Sequence, residues 1–222
     1  MMKYMGLMAR AFLCCLCLTV GLQHRLFAAG QPAGYELALR REFGAVALSP
    51  AEQETEAALR AQVTALAEAA GVPQPLVILA LREQVNAYAL PGAVVMTRGM
   101  TALITAPAER ATLLAHEIGH LVLGHPELAM RRSRHSQYFL QRMRRAARRQ
   151  DTQEAARLYV QAACSGEIGL AEERAADIWA ANLLRSQGYK GTATVWQHLQ
   201  QAGIHSGANH PEYQERIRIF QP

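Results

Sequence analysis

His116 and His120 stand four residues apart in the run His116-Glu117-Ile118-Gly119-His120. On a helix, residues at this spacing project from nearly the same face, so both imidazoles can reach one ion. Neutral imidazole suits Zn²⁺, and a catalytic zinc keeps an open position beside three protein ligands. Glu117 follows the first histidine and can lean over that position. There it can take a proton from zinc-bound water, whose pKa the metal lowers to about 7. The chemistry open to such a set is hydrolysis.

A third ligand is needed. His125 is the nearest, but the metzincin pattern would require Gly at 123 and His at 126, where this chain has Leu123 and Pro126. His125 better suits the end of the helix, where the dipole favours an imidazolium. The better candidate is Glu173, in Glu173-Arg174-Ala175-Ala176-Asp177. A carboxylate on a second helix gives the two-His-one-Glu set of hydrolytic zinc sites. Asp177, one turn further on, is placed to orient a ligand from behind. The small Ala175 and Ala176 let the two helices approach closely.

These residues need helices to carry them. Pro107 opens a helix over 108–123, and Gly124 and Pro126 punctuate its end. Leu113, Leu114, Leu121, Val122 and Leu123 can bury it. A further helix spans 170–186 and ends at Gly188. Upstream, Ser49-Pro50 with Glu52 three residues beyond Ser49 reads as a capping box. That helix runs to Ala70 and stops at Gly71-Val72-Pro73. Residues 76–81 and 93–97 are apolar and partly β-branched, so both are candidate strands, joined through a turn-rich link at 86–92. A short helix is expected over 99–105. Residues 127–161 keep a helical pattern and become very basic, with a break at Cys164-Ser165-Gly166. The rest is a helix over 192–201, then a loop and a last short helix. The fold class is α+β, mostly helical, with a small sheet beside the histidine helix.

Residues 1–30 have the plan of a secretory signal peptide: Lys3 and Arg10, an uncharged apolar run over 11–22, then Phe27-Ala28-Ala29-Gly30. The run is short of the roughly 20 residues of a membrane span. The alternative is an uncleaved N-terminal anchor, which His24 and Arg25 near the cleavage region keep open. Export, to a bacterial periplasm, is the expectation. Cys14, Cys15 and Cys17 fall in this leader, so Cys164 alone would remain and no disulfide framework or Cys-based zinc site is expected. Residues 31–49 read as an extended lead-in, and 50–222 as one domain. Half the residues are apolar and 18% are charged, which marks a globular chain. The net charge is +5, but three cations and no acid lie in the leader. The 20 remaining cations nearly balance 18 acids, and nucleic acid is not an expected partner.

Taken together, four separated stretches resemble the HtpX, Ste24 and BepA-like zinc metallopeptidases. They are His116-Glu117-Ile118-Gly119-His120, the Glu173-x-x-Ala176-Asp177 set, the run from Asn86 through Tyr88 to Gly92, and His210-Pro211 with Arg216. The resemblance covers about residues 50–220 and implies a zincin-like domain with one zinc per chain held by His116, His120 and Glu173. It implies a metal-adjacent edge strand near 93–97 that holds substrate backbone by β-addition, with Asn86, Ala87, Tyr88, Val94, Val95 and Met96 meeting the substrate. It also implies that His210 and Arg216 face the active site and stabilise the oxyanion. His205 is a rival that could visit the open zinc position and hold the enzyme latent. Multiple membrane spans and a long C-terminal helical-repeat domain are missing, so the chain looks like a minimal exported version. The implied role is cleavage of misfolded or unassembled cell-envelope polypeptides. The alternative, from another class, is a chaperone-like assembly factor that binds extended chains in the same cleft.

Arg131, Arg132, Arg134, Arg142, Arg144, Arg145, Arg148 and Arg149 crowd one helical segment. A solvated face is the plain reading. Contact with anionic lipid headgroups or with acidic envelope assembly proteins is the other, and the segment could also cover the cleft as a lid.

Overall fold

The computed structural model describes residues 31–205 and 209–221, so the expected leader lies outside the described residues. The first element departs from expectation. Residues expected to be extended form helix α1 (Tyr35–Glu42), entered from Gly34 at φ 83° with no side-chain cap. Tyr35, Leu39 and Phe43 turn inward, and the Tyr35 hydroxyl donates to the Pro91 carbonyl at 2.9 Å. Helix α2 (Pro50–Ala70) starts with the expected capping box, Ser49 N–H donating to Glu52 at 2.8 Å, and ends at Gly71 in the left-handed conformation.

Three strands follow: β1 (Leu76–Ala80), β2 (Ala87–Leu90) and β3 (Ala93–Thr97). Their order is β1-β3-β2, with β1 parallel and β2 antiparallel to β3. The segment expected to be a link is therefore a strand, turning at Pro91-Gly92 into a hairpin. The strand expected at the edge is instead the central one. Both faces of the sheet are covered. Val77, Leu79, Val94 and Met96 join α2 and the histidine helix in the main core, while Ile78, Ala80, Ala93 and Val95 pack with Tyr35, Leu39 and Val160. Double burial explains the unbroken apolar runs Leu-Val-Ile-Leu-Ala and Ala-Val-Val-Met, which alternation could not have orientated.

Glu56 of α2 clamps this layer. Buried, it accepts from Arg40 at 3.0 and 3.1 Å, from Arg60 at 2.9 Å and from the Leu79 N–H at 3.0 Å, on the outer edge of β1. Burial opposes its ionisation, but the Arg40 and Leu79 bonds outweigh it and hold the carboxyl below its ordinary 4.5. A depressed folded pKa contributes stability above the unfolded value, and that stability is lost as pH falls through the folded one. Glu56→Gln is therefore expected to destabilise by about 1–3 kcal/mol at neutral pH. The gap to the parent should close well below pH 4.5. Urea unfolding at both pH values checks this; a gap independent of pH would remove the charge from the explanation.

The remaining elements are helical. They are α3 (Arg98–Leu103), α4 (Pro107–Val122), α5 (His125–Arg132), α6 (Arg134–Arg148), α7 (Thr152–Cys164), α8 (Leu170–Ser186), α9 (Thr194–Gln201) and α10 (Tyr213–Phe220). The long basic helical stretch is thus three helices. Ser133 caps α6 by accepting from Ser136 N–H, and Asp151 caps α7 by accepting from Glu154 N–H. Helices α4 and α8 touch where side chains are smallest. A Cβ on Gly119 would lie 3.1 Å from both the Ala176 carbonyl oxygen and the Trp179 ring. Among the described residues, no helix is long and apolar enough to cross a membrane.

Candidate metal centre

The close approach of α4 and α8 brings Glu173 to the two histidines. His116 Nε2 lies 3.3 Å from Glu173 Oε2, His120 Nε2 lies 3.4 Å from Oε1, and the two Nε2 atoms are 3.0 Å apart. One donor atom from each of the three buried residues falls within 4.8 Å of the others, a spacing one cation can bridge. Two imidazole nitrogens and a carboxylate are the donor set of a hydrolytic zinc site.

Each histidine is held from behind. His116 Nδ1 is 2.9 Å from Asp177 Oδ1, so the Nδ1–H donates to the carboxylate and the Nε2 lone pair faces inward. His120 Nδ1 is 2.9 Å from His125 Nδ1. A ligating His120 carries its proton on Nδ1 and donates it to His125. His125 therefore does not end the helix as an imidazolium. Gly124, at φ 70°, breaks the chain there, and His125 opens α5 as a buried ring whose pKa burial pushes down. Burial and the nearby His116 charge likewise bring His120 down to about 4. For His116, burial and Arg216 also favour the neutral ring, but Asp177 and Glu173 outweigh them and raise it to about 9 in the metal-free chain. Glu173 is buried, yet contacts with His116, His120 and His210 hold it well below the usual carboxylate range.

Glu117 lies on the floor of the same cleft, a hollow of about 370 Å³. Desolvation pushes its carboxyl up to about 7, against the lowering charge of His116. One wall is β2 with Asn86, backed by Phe43 and by Arg82, which pairs with Glu42 at 3.3 Å. The opposite wall is Pro126, Ala129, Ala163, Cys164 and residues 166–168. Cys164 stands on that wall, and burial of its thiol among the neighbouring groups pushes it up to about 12, so it is no thiolate nucleophile at neutral pH. No residue of α6 lines the cleft, so the arginine segment does not cover it. A larger hollow of about 740 Å³, between α1 and α7, contains none of the candidate residues.

The structure separates residues that the sequence grouped. His210 reaches the site, with Nδ1 2.8 Å from Glu173 Oε2. Arg216 does not line the cleft. Only 5% exposed, it donates from Nη2 to Asp177 Oδ1 at 2.7 Å and lies 3.6 Å above the Trp196 ring. Its partner and its stacking commit it to the back of His116 rather than to an oxygen shared with His210. Val94, Val95 and Met96 are fully buried in the central strand and cannot meet a substrate; Asn86, Ala87 and Tyr88 do line the cleft. His205 is exposed and outside the cleft lining. Trp196, under Arg216, and His125, behind His120, escaped the sequence reading, since nothing local to either marks its partner.

The family model for peptidase family M48 matches residues 53–221. The chain belongs to peptidase family M48. That match spans every residue of the centre, from β2 to α10, and makes the chain a member of a metallopeptidase family with a mostly helical α+β fold. No curated protein matches the chain significantly.

The M48 domain places Arg216 where a test can separate two roles. Arg216→Ala is expected to loosen His116 through Asp177 and to weaken metal binding by about 10–100-fold, read by competition with a chelating dye. Unchanged metal affinity with a kcat lower by about 10²–10³ would instead return Arg216 to the oxyanion.

Proposed function

We propose that this M48 domain is a zinc-dependent endopeptidase that cuts extended stretches of misfolded or unassembled cell-envelope proteins after export, as a relative of the HtpX, Ste24 and BepA-like enzymes. One observation carries the reading. Glu117, the three convergent donors and the free edge of a β-strand share a single cleft.

The edge of β2 away from β3 offers backbone N–H and C=O groups to an extended chain, which would lie across the floor as an added strand. Zinc held by His116, His120 and Glu173 would supply the Lewis acid that polarises the scissile carbonyl and acidifies the attacking water. Glu117 takes the proton from that water and returns it to the leaving amine. His210, at the cleft mouth beside Glu173, is the group placed to donate to the developing oxyanion. Asp177 and His125 keep both imidazoles in the ligating tautomer.

Digestion of casein by the purified protein, with and without chelator and after zinc is returned, tests the proposal. The expected result is cleavage that chelation abolishes and zinc restores. Casein held without any cleavage by the zinc-loaded protein would overturn it in favour of the chaperone-like alternative.

A further inference from the structure

Helix α6 has two unlike faces. At 3.6 residues per turn, Ser136, Phe139, Met143 and Ala146 share one side. Phe139 and Met143 pack with Ala146 against Ala155 and Leu158 of α7, and the Ser136 hydroxyl donates to the Ala162 carbonyl at 2.8 Å. Arg134, Tyr138, Arg142, Arg145, Arg148 and Arg149 fall on the other side, and all six are exposed. Residues 128–150 contain eight arginines, no lysine and no acid. Of the eight, Arg132 and Arg142 alone form ion pairs among the described residues, with Glu172 at 2.7 Å and Glu154 at 3.8 Å.

A helix face that needs only solvation normally mixes signs, because opposite charges four apart stabilise it and like charges destabilise it. Here Arg144 and Arg148, and Arg145 and Arg149, repeat the same sign at that spacing. Glu154 offsets only part of the repulsion, through Arg142 and Arg149, and an external array of anions would relieve the rest. The residue type narrows the choice. The guanidinium fork matches phosphate oxygens two at a time, which an ammonium does not.

Shape narrows it further. The arginines stand on the outside of a two-helix ridge, away from the side that packs on α7. A 15-residue helix is about 22 Å long and can lay its whole face on a plane. Tyr138, 54% exposed and under the Arg142 guanidinium at 5.7 Å, adds an aromatic ring of the kind that settles between a polar and an apolar phase. Beyond the eight arginines, residues 31–222 hold 12 cations against 18 acids, so the body of the molecule carries the opposite sign. A negatively charged surface would draw the ridge and repel the body. We propose that the arginine face of α6 docks the protein on an anionic phospholipid membrane and fixes which side of the domain faces it.

The test is flotation of the full-length protein with vesicles of phosphatidylcholine alone or enriched in phosphatidylglycerol. The comparison is with the fourfold variant Arg134→Gln, Arg145→Gln, Arg148→Gln, Arg149→Gln. Among the described residues none of the four forms an ion pair, and only Arg149 feels a nearby carboxylate, Glu154, so the thermal melt should move little. Binding to the anionic vesicles is expected to weaken about five-fold per arginine, several hundred-fold in all. Binding to the neutral vesicles, which reads any contribution of residues 1–30, should be the same for both proteins. Raised salt should reproduce the loss in the parent, a readout that needs no variant. Parent binding indifferent to phosphatidylglycerol, or variant binding equal to the parent's, overturns the proposal. So does retention on immobilised polyglutamate without vesicle binding, which would mark an acidic protein as the partner.

Discussion

Glu117→Gln is expected to leave the metal content and the fold intact while peptide hydrolysis falls by about 10²–10⁴-fold. The amide keeps the size and shape of the carboxylate, so the floor of the cleft stays packed. It cannot accept the proton of the attacking water. The carboxyl's position supports the assignment, because burial that lifts it to about 7 makes it a proton acceptor matched to neutral pH. That value belongs to the metal-free chain. A dication nearby favours the carboxylate, so the acid limb of kcat/KM should lie below pH 7 and vanish with the variant's activity. Purified Glu117→Gln that turns over peptide at the parent's rate, with full metal, would remove Glu117 from the chemistry.

Glu173→Ala should cost the metal itself. The carboxylate is the only acidic member of the donor set and lies within 3.4 Å of a nitrogen from each of three imidazoles. Without it two neutral nitrogens remain, and the loss in affinity should exceed the 10–100-fold typical of an outer partner. Two measurements read this independently of turnover. Metal content by mass spectrometry should fall, and added zinc should no longer raise the melting temperature, as it does for a protein that binds metal only when folded. Full occupancy in Glu173→Ala, together with loss of metal in His125→Ala, would move the third ligand to His125. The geometry argues against that exchange, since His125 Nδ1 is already engaged by His120 Nδ1.

What could be read from the chain was local. The capping box at Ser49 and the punctuation at Gly71 and Gly124 all act within a few residues of their signal. What could not be read was pairing over distance. Both apolar strand runs are buried on two faces, so composition could not say which was central, and β3 was taken for the edge. The clue to β2 was its short alternation before Pro91-Gly92, outweighed by the turn residues around it. Arg216 was grouped with His210 at the oxyanion because Asp177 is 39 positions away and Trp196 belongs to another helix, so neither partner shows beside it in the chain. The α1 helix has no capping side chain at its start, so only its contacts with the sheet reveal it.

The position of β2 has a consequence for how an enzyme of this shape would choose among clients. Its free edge runs along a cleft of about 370 Å³, room for one extended chain but not for a sheet or a helix already folded. A segment must leave its own structure before it can be cut. Where that segment recloses faster than it is cleaved, the rate follows the equilibrium population of the open form. Two clients with identical scissile sequences would then be cut at rates set by the local unfolding free energy around each bond. The recessed edge would act as a gauge of client stability, discriminating without reading side chains.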